Sequence, residues 1–396
     1  AGYNARQVDK AKLEHIVRGG HCALISGGHD AGGSESEPLD IERARQVVTD
    51  QRDQVAAFGI SGLFGVRNPE HELKLRELVA SLTGKPVTCG HELASQLDAP
   101  RRALTVAFNA SLITYIDELI RAIKLILNER AIHAPLMMVK GDGSLISADT
   151  ALARPVETIL SGPAASVMGA AQLQPQDSAI IADMGGTTTD IAIVTGGKPV
   201  ISAKATLIGE WRPMVDAVRV FSLGLGGDSE VRFQGGVGLA IGPRRVVPTS
   251  LLVHRYPEVL TTLERRVDAA VSPRSNRFAV ALFAETSQKR SFSQEETAAW
   301  QRLQRGPLDV EQLSQEERPL ARALARLVRD GIAIYSGFTP TDAAHVLGKT
   351  SHWSTRAAEL AAIVWARQMR QVYGWGKFEE NDPKGPSTAV EEHMVQ

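Results

Sequence analysis

The feature that most constrains this chain is a loop rich in glycine and threonine, Asp183–Asp190, set between two short apolar runs. The run Ala179–Asp183 leads into the loop and Ile191–Val194 follows it, and apolar runs of this length and composition predict strands. Gly185 and Gly186 have no Cβ atom, so their backbone N–H groups can approach an anion closely. The pattern therefore predicts a strand, a phosphate-binding turn and a second strand.

The other side chains of the loop fit the same chemistry. Thr187, Thr188 and Thr189 add hydroxyl donors for phosphate oxygens. Asp183 and Asp190 carry the same sign of charge as a phosphate, so they make sense as ligands of Mg²⁺ or as groups that position an attacking atom. The turn joins two strands and lacks the Gly-Lys-Ser/Thr ending of a P-loop. An ordinary hairpin turn, in which Gly and Thr are also common, is the alternative.

The length of 396 residues predicts two or three folding units. We expect an α/β lobe with a long helix at 101–130 in residues 1–176, a second lobe with the phosphate loop in 177–285, a mostly helical subdomain in 286–373 and a frayed polar tail in 374–396. The other predicted elements are helices at 40–57 and from Gly162, strands at Cys22–Ser26, Ile60–Phe64, Pro86–Cys89 and Leu136–Val139, and helix starts at Asn68 and Thr339.

Charge and cysteine content limit the function classes. A net charge of −1 gives no electrostatic reason to expect nucleic acid or an anionic membrane as a partner. Two cysteines do not make a disulfide framework, so we expect a reducing cytoplasm. No uninterrupted apolar run reaches the roughly 18 residues needed to span a bilayer.

Several weaker motifs are candidates for the same site or for others. Gly226 and Gly227, within Gly224–Ser229, could form a second nest of backbone N–H groups near the substrate or the γ-phosphate, or a simple turn. Asp142, in the turn Lys140–Ser144, could contact a ligand or lie on the surface. Arg101 and Arg102 open the long helix and could face an anion or solvent.

Two further motifs invite a metal interpretation. His21 and the segment Gly27–Asp30 could supply ligands, although histidines in glycine-rich loops are more often plain polar residues. The segment Cys89–Glu92 could supply a nucleophile or a zinc site. Neither a second cysteine nor a spaced pair of histidines supports zinc there, and a buried structural thiol is the preferred interpretation.

The phosphate loop resembles the second phosphate loop of the actin, sugar-kinase and heat-shock-chaperone superfamily. Further segments resemble the hydantoinase/oxoprolinase family, in particular its N-methylhydantoinase A-type subunits, along nearly the whole chain and in the right order. The segments that carry this resemblance are Val66–Glu72, Cys89–Glu92, Lys140–Leu145, Ser161–Ser166, Gly224–Ser229 and Gly337–Asp342.

This resemblance implies an α/β fold of actin-like ATPase lobes, which are ribonuclease H-like, with a nucleotide cleft. It implies ATP and Mg²⁺ as cofactors and phosphorylation of the carbonyl oxygen of a cyclic amide of the hydantoin or 5-oxoproline class. It further implies a B-type partner subunit. Acetone and acetophenone carboxylases, which act on ketones, are relatives in the same family, so a carboxylase-type subunit is an alternative.

Two departures from the family pattern bear on completeness. No Asp-x-Gly-Gly-Thr run precedes residue 183, although the superfamily carries a first phosphate loop near its N-terminus. After Gly374 the chain offers no glycine-rich segment for adenosine. We therefore expect a chain truncated at both ends, with weak ATP turnover on its own. A small-molecule kinase and a non-catalytic actin-like binding module remain rival hypotheses.

Overall fold

The chain divides into two compact units, and the backbone passes from one unit to the other three times. In this computed structural model the described residues are all except 5, 8–12, 14–19, 174–175, 203–206, 284–291, 377, 380 and 396. Unit 1 comprises Ala1–Asp183 and Ile191–Phe221, and unit 2 comprises Met184–Asp190 and Ser222–Gln396. The four segments predicted from the sequence follow different boundaries and stay a prediction.

Unit 1 is built from helices and small sheets. Its helices are α1 (Ile41–Gln51), α2 (Glu70–Thr83), α3 (Gly90–Leu93), α4 (Ala99–Glu129), α5 (Ala148–Ala153) and α6 (Ser161–Leu173). Antiparallel pairs join β1 (Gly28–His29) to β2 (Glu35–Glu37) and β5 (Met137–Val139) to β6 (Leu145–Ser147), and a parallel pair joins β3 (Phe58–Ile60) to β4 (Val87–Cys89). Apolar side chains of α1, α2, β3 and β4 form one shared core.

The three points where the backbone passes between the units lie in strands of one four-stranded sheet. Its order is β10 (Val220–Leu223), β8 (Thr189–Thr195) and β7 (Ala179–Met184), with β9 (Lys198–Pro199) paired to β8. The chain leaves unit 1 after Asp183, at the end of β7, and returns at Ile191, within β8. The predicted strand, turn and strand are thus confirmed, and the turn itself belongs to unit 2.

Unit 2 contains two sheets and a set of helices. One sheet pairs β11 (Ser229–Gln234) with β12 (Gly238–Arg245), and the other has the order β13 (Val247–Pro248), β16 (Ala333–Gly337), β14 (Phe278–Ala281) and β15 (Leu308–Asp309). The helices are α7 (Thr249–Arg255), α8 (Val259–Asp268), α9 (Gln294–Leu303), α10 (Val310–Glu316), α11 (Arg318–Arg329), α12 (Pro340–Val346), α13 (Thr355–Tyr373) and α14 (Lys384–Val395).

Three element predictions are wrong, and the first is the strand at Ile60–Phe64, because β3 ends at Ile60. Residues 22–26 form no strand, and Leu24 in that run is 47% exposed. The tail is not frayed throughout, because α14 forms and buries Val390 in a cluster with Trp365 and Phe338. The predicted helical subdomain also contains β15 and β16, and its residues 286–291 lie outside the described part of the chain.

The long helix α4 is well predicted in its bounds, but its apolar character was underestimated. An 18-residue window has a mean hydropathy of 1.3, so by length and composition the helix could cross a membrane, and 33% of that window is buried. Its first half also buries Arg102, Thr105 and Asn109 inside unit 1. Buried polar residues that bond to neighbouring segments are typical of a helix in the core of a folded unit.

Candidate functional site

The loop between β7 and β8 is a tight and exposed turn. Gly185 N–H donates to Thr188 O at 2.9 Å and closes the turn. Residues 184–188 are all exposed. Within the described chain, no protein acceptor meets the backbone N–H groups of Gly186, Thr187 and Thr188. Successive free N–H groups on an exposed turn make a concavity that binds anions.

A second glycine turn packs directly against this loop within unit 2. Gly227 N–H donates to Gly185 O at 3.0 Å, and Asp228 N–H donates to Gly186 O at 2.7 Å. A Cβ atom on Gly226 would lie 2.6 Å from both Gly185 O and Gly186 C. Only glycine permits this approach, so the structure brings together the two glycine pairs that the sequence singled out.

The second turn is itself anchored to the start of α12. Thr341 donates to Gly227 O from both its backbone N–H (2.9 Å) and its hydroxyl (2.8 Å). The predicted cap of α12 is confirmed, since Thr339 and Asp342 form a reciprocal capping box. Asp342 is fully buried and also accepts from the N–H groups of Thr249 and Ser250, which ties the start of α7 to the same point.

The threonines of the loop differ in their roles. Thr187 and Thr188 are exposed, whereas Thr189 is 5% exposed and its hydroxyl donates to Leu225 O at 2.7 Å. The single hydroxyl proton of Thr189 is therefore used to hold the second turn. The expectation that this hydroxyl faces phosphate is corrected, because Thr189 begins β8 on the buried side of the strand.

Three carboxylates flank the loop, one of which the sequence interpretation missed. The Asp190 carboxylate accepts a hydrogen bond from the Ser222 hydroxyl. Asp183 is partly buried at the end of β7. The missed residue is Asp228, whose Oδ2 would lie 2.6 Å from a Cβ on Gly186 and which is paired with Arg245 at 3.0 Å. Its position directly after a glycine pair was the available signal.

The arginines that open α4 have structural partners. Arg101 Nε donates to Arg212 O at 3.0 Å. Arg102 is 0% exposed, and its guanidinium donates to the backbone carbonyls of Gly62, Leu63, Gln96 and Leu97. The Arg102 guanidinium is therefore not available for an anion, whereas Arg101 is partly exposed and its contact with an anion stays a prediction.

The turn Lys140–Ser144 is partly buried, and Gly141 within it donates to Glu157 O and accepts from Val218 N–H, both at 2.8 Å. Asp142 Oδ1 accepts from the N–H (2.9 Å) and hydroxyl (2.6 Å) of Ser144. Lys140 Nζ lies 3.3 Å from carboxylate oxygens of both Asp142 and Glu157. The hydrogen bonds from Ser144 and the ammonium of Lys140 keep the pKa of Asp142 below its ordinary value, against the opposing effect of partial burial. The polar groups of Lys140, Asp142 and Ser144 thus have partners within the protein, as the turn interpretation predicts.

The first metal candidate does not assemble. His29 is buried against His71, with ring centroids 4.2 Å apart, while Asp30 accepts from the N–H groups of Gly32 and Ser34 in its own turn. His21 is exposed. Burial and the neighbouring His71 lower the pKa of His29.

The thiol of Cys89 is buried, as expected. It is 0% exposed and lies 3.7 Å from Glu72 O. Burial, reinforced by the charge of Glu72, raises the pKa of Cys89 to about 12. A thiol with this pKa is protonated at neutral pH, which removes the nucleophile interpretation because only the thiolate attacks.

Comparisons with known proteins agree with these motifs. Residues 102–352 match the family model described as hydantoinase/oxoprolinase. The chain is 34% identical over 218 residues to caprolactamase subunit alpha of Pseudomonas jessenii, a match that covers 54% of this chain and 31% of that protein. The chain thus spans about a third of the length of this curated relative.

Two solved structures share the mixed α/β fold. The ATP-dependent caprolactamase of Pseudomonas jessenii aligns with a TM-score of 0.53 and 24% identity, covering 82% of this chain and 48% of that one. A nucleotide-free acetone carboxylase, from a study of ATP-dependent acetone carboxylation, aligns with a TM-score of 0.54 and 18% identity, covering 93% of this chain and 42% of that one. At these identities the likeness concerns the fold alone.

Proposed function

Because this chain belongs to the hydantoinase/oxoprolinase family, we propose that it is the nucleotide-binding part of an ATP-dependent enzyme that activates the carbonyl group of a cyclic amide. The fold of this part is then an actin-like ATPase fold. The observation that carries the proposal is the exposed turn Gly185–Thr188, with three free N–H groups held in place by the turn Gly226–Asp228.

The residues of unit 2 suit a phosphate group. The N–H groups of Gly186, Thr187 and Thr188 donate to its oxygens, and the hydroxyls of Thr187 and Thr188 add donors at the rim. Gly226 and Gly227 act by holding the loop in shape. Such donors are effective because they are already oriented, so little reorganisation is needed when negative charge arrives.

The cofactors are ATP and Mg²⁺. Bound ATP supplies the phosphoryl group that makes a poorly reactive carbonyl carbon electrophilic, and Mg²⁺ neutralises the phosphate charge. Asp183 and Asp190 are the proposed Mg²⁺ ligands, because hard cations prefer carboxylate oxygens and both residues border the loop. Asp228 lies beside Gly186 and is a third candidate ligand for Mg²⁺.

The substrate is proposed from the relatives. The name of the relative caprolactamase subunit alpha refers to a lactam, so we propose that the substrate is a cyclic amide. Because that relative is one subunit of an enzyme, we also propose a B-type partner subunit for this chain. The chain is also 28% identical over 226 residues to the acetophenone carboxylase gamma subunit of Aromatoleum aromaticum, which favours a ketone carboxylase-type subunit as the second candidate. A cytoplasmic location is part of the same proposal.

The test is a titration of the protein with ADP and Mg²⁺, followed by an assay of ADP release. Caprolactam, hydantoin or 5-oxoproline is compared with acetone plus bicarbonate. Stimulation by a cyclic amide supports the first candidate, and stimulation only by the ketone supports the second. Failure of ADP to bind, or binding that is insensitive to changes in the loop, would reject the phosphate assignment.

A further inference from the structure

A second cluster of reactive side chains lies in unit 1, apart from the phosphate loop in sequence and in unit. It consists of Glu72 on α2, Cys89 at the end of β4 and His91 in α3. One ligand atom from each residue, an oxygen, a sulfur and a nitrogen, lies within 4.8 Å of the other two. Among the described residues this is the sole group of three such side chains that meets this spacing.

We propose that Glu72, Cys89 and His91 bind a divalent transition-metal ion of the Zn²⁺ class. The sequence offers no second cysteine or spaced pair of histidines near Cys89 and His91, and the fold brings Glu72 to them from 17 residues upstream of Cys89. Carboxylate oxygen, thiolate sulfur and imidazole nitrogen are the donors that Zn²⁺ uses in proteins. Three protein ligands with one remaining position are typical of zinc sites that bind water or a substrate.

The carboxylate is fixed before any metal arrives. Glu72 Oε1 accepts from Gly62 N–H at 2.7 Å, and Oε2 accepts from His91 N–H at 2.9 Å. A Cβ on Gly65 would overlap this carboxylate, and one on Gly90 would lie 3.1 Å from Oε1. The glycines therefore let the backbone close around Glu72, and the backbone donors that orient it resemble the outer-shell bonds that orient metal ligands.

The bond that a metal would replace is already short. His91 Nδ1 and Glu72 Oε2 are 2.6 Å apart, which fits a hydrogen bond from an Nδ1–H group to the carboxylate. Metal binding requires that this proton move from Nδ1 to Nε2 through solvent, and that the Cys89 thiol release its proton to solvent. The resulting thiolate and carboxylate together balance the two positive charges of the ion, with the imidazole neutral.

Access comes from the side of the histidine. The His91 side chain is 19% exposed, whereas Glu72 is 1% exposed and Cys89 is 0% exposed. A metal ion can thus reach the cluster past His91, and bound metal would cross-link α2 to the β4–α3 junction. This inference does not depend on the proposed nucleotide function, because none of its residues belongs to unit 2.

The test uses Co²⁺ as a spectroscopic substitute for Zn²⁺. The purified protein is stripped with a chelator, dialysed and titrated with Co²⁺ and Zn²⁺. We expect about one ion per chain, a near-ultraviolet thiolate-to-cobalt charge-transfer band, and competition of Co²⁺ by Zn²⁺. Absence of stoichiometric binding, or binding without the thiolate band, would overturn the proposal.

Variants separate this site from adventitious binding. Cys89→Ser should abolish the charge-transfer band, and His91→Gln should weaken binding by roughly tenfold or more. Cys22→Ser is the matched control, because Cys22 is the second cysteine of the chain and lies outside the cluster, and it should keep the band unchanged. Circular dichroism of each metal-free variant identifies any that fail to fold. A band that survives Cys89→Ser or disappears in Cys22→Ser contradicts the assignment.

Discussion

At the scale of single residues, close packing between two backbones decides what the phosphate loop tolerates. Gly226 lies against the backbone of Gly185 and Gly186, and backbone atoms cannot rotate away from an added side chain. Gly185 differs, since a Cβ there would meet only Thr188 O at an ordinary 3.6 Å. Adjacent glycines of one motif therefore have unequal roles, which a sequence pattern alone does not distinguish.

We expect Gly226→Ala to weaken ADP binding by roughly tenfold or more, because the added methyl group must push the two turns apart and misplace the free N–H groups. Isothermal titration calorimetry with ADP and Mg²⁺ measures the effect. Gly235→Ala is the matched control, since a Cβ there meets nothing within 4 Å in the same unit. Equal affinities for the two variants would contradict the role of the packed turns.

In the complete enzyme with its proposed partner subunit, Asp183→Asn should lower ATP turnover by roughly 100-fold or more while the protein stays folded, because an amide is a poor ligand for Mg²⁺ compared with a carboxylate. Steady-state ADP release measures turnover, and far-ultraviolet circular dichroism monitors the fold. Asp177→Asn, at an exposed position just before β7, should leave turnover unchanged. Turnover of Asp183→Asn within a few-fold of the parent would remove Asp183 from the site.

At the scale of secondary-structure elements, the β1–β2 hairpin is attached to α2 by a pair of histidines. The rings of His29 and His71 lie 4.2 Å apart, and His71 Nε2 is 2.8 Å from Glu35 Oε1. Glu70 and Lys74 on α2 complete the charged surroundings of His29. Within the described chain, His29 Nε2 and His71 Nδ1 are buried without a hydrogen-bond partner.

We expect unit 1 to lose stability as the pH falls below the ordinary histidine pKa of 6.5. Burial keeps the pKa of His29 lower than this in the folded protein, so the unfolded chain takes up a proton first and is favoured as the pH decreases. Urea denaturation at pH 7.5 and 5.5 measures the change. His29→Gln should reduce the loss, and His254→Gln, at an exposed position, should keep it. Identical losses in both variants would contradict the assignment to His29.

Elements with strong local signals could be predicted, and those that depend on distant partners could not. Helix α4 and the β7–β8 hairpin follow from their periodicity and turn residues. The apolar run 22–26 forms no strand because a strand needs a neighbour, which a local pattern does not reveal. Likewise α14 forms because Val390 packs against Trp365, far away in sequence.

The candidate sites divide in the same way. The turn between β7 and β8 was predictable from its glycines and flanking apolar runs, whereas its binding of phosphate stays a prediction. Asp228 and Glu72 were missed, since their importance depends on contacts with Gly186 and His91 that only folding creates. Thr189 was misassigned because the burial of a strand's first residue depends on which face of the strand packs.

At the scale of the whole molecule, each unit has its own cores, and the phosphate loop belongs to unit 2 although its strands continue into unit 1. If the proposed function is right, a nucleotide phosphate makes its first contacts with residues 184–190 and indirectly tightens 224–229. The consequences of binding should therefore differ between the two units.

Hydrogen–deuterium exchange with and without ADP and Mg²⁺ should show slower exchange of the amides in 184–190 and 224–229. Helix α2 of unit 1 serves as an internal reference and should change little, because ligand binding protects the groups it contacts or orders. Protection confined to α2 and its neighbours, with none in the two turns, would place the nucleotide elsewhere.

The hydrogen bond from Asp228 N–H to Gly186 O also sets an order of events during protein synthesis. The ribosome makes the phosphate loop about 40 residues before the turn that supports it, a delay of roughly 2–8 s at 5–20 residues per second. During that interval β7 and β8 can already pair, but the loop between them lacks Gly226–Asp228. The proposed anion binding therefore becomes possible only after Asp228 has been made, so nucleotide cannot assist folding at any earlier stage of synthesis.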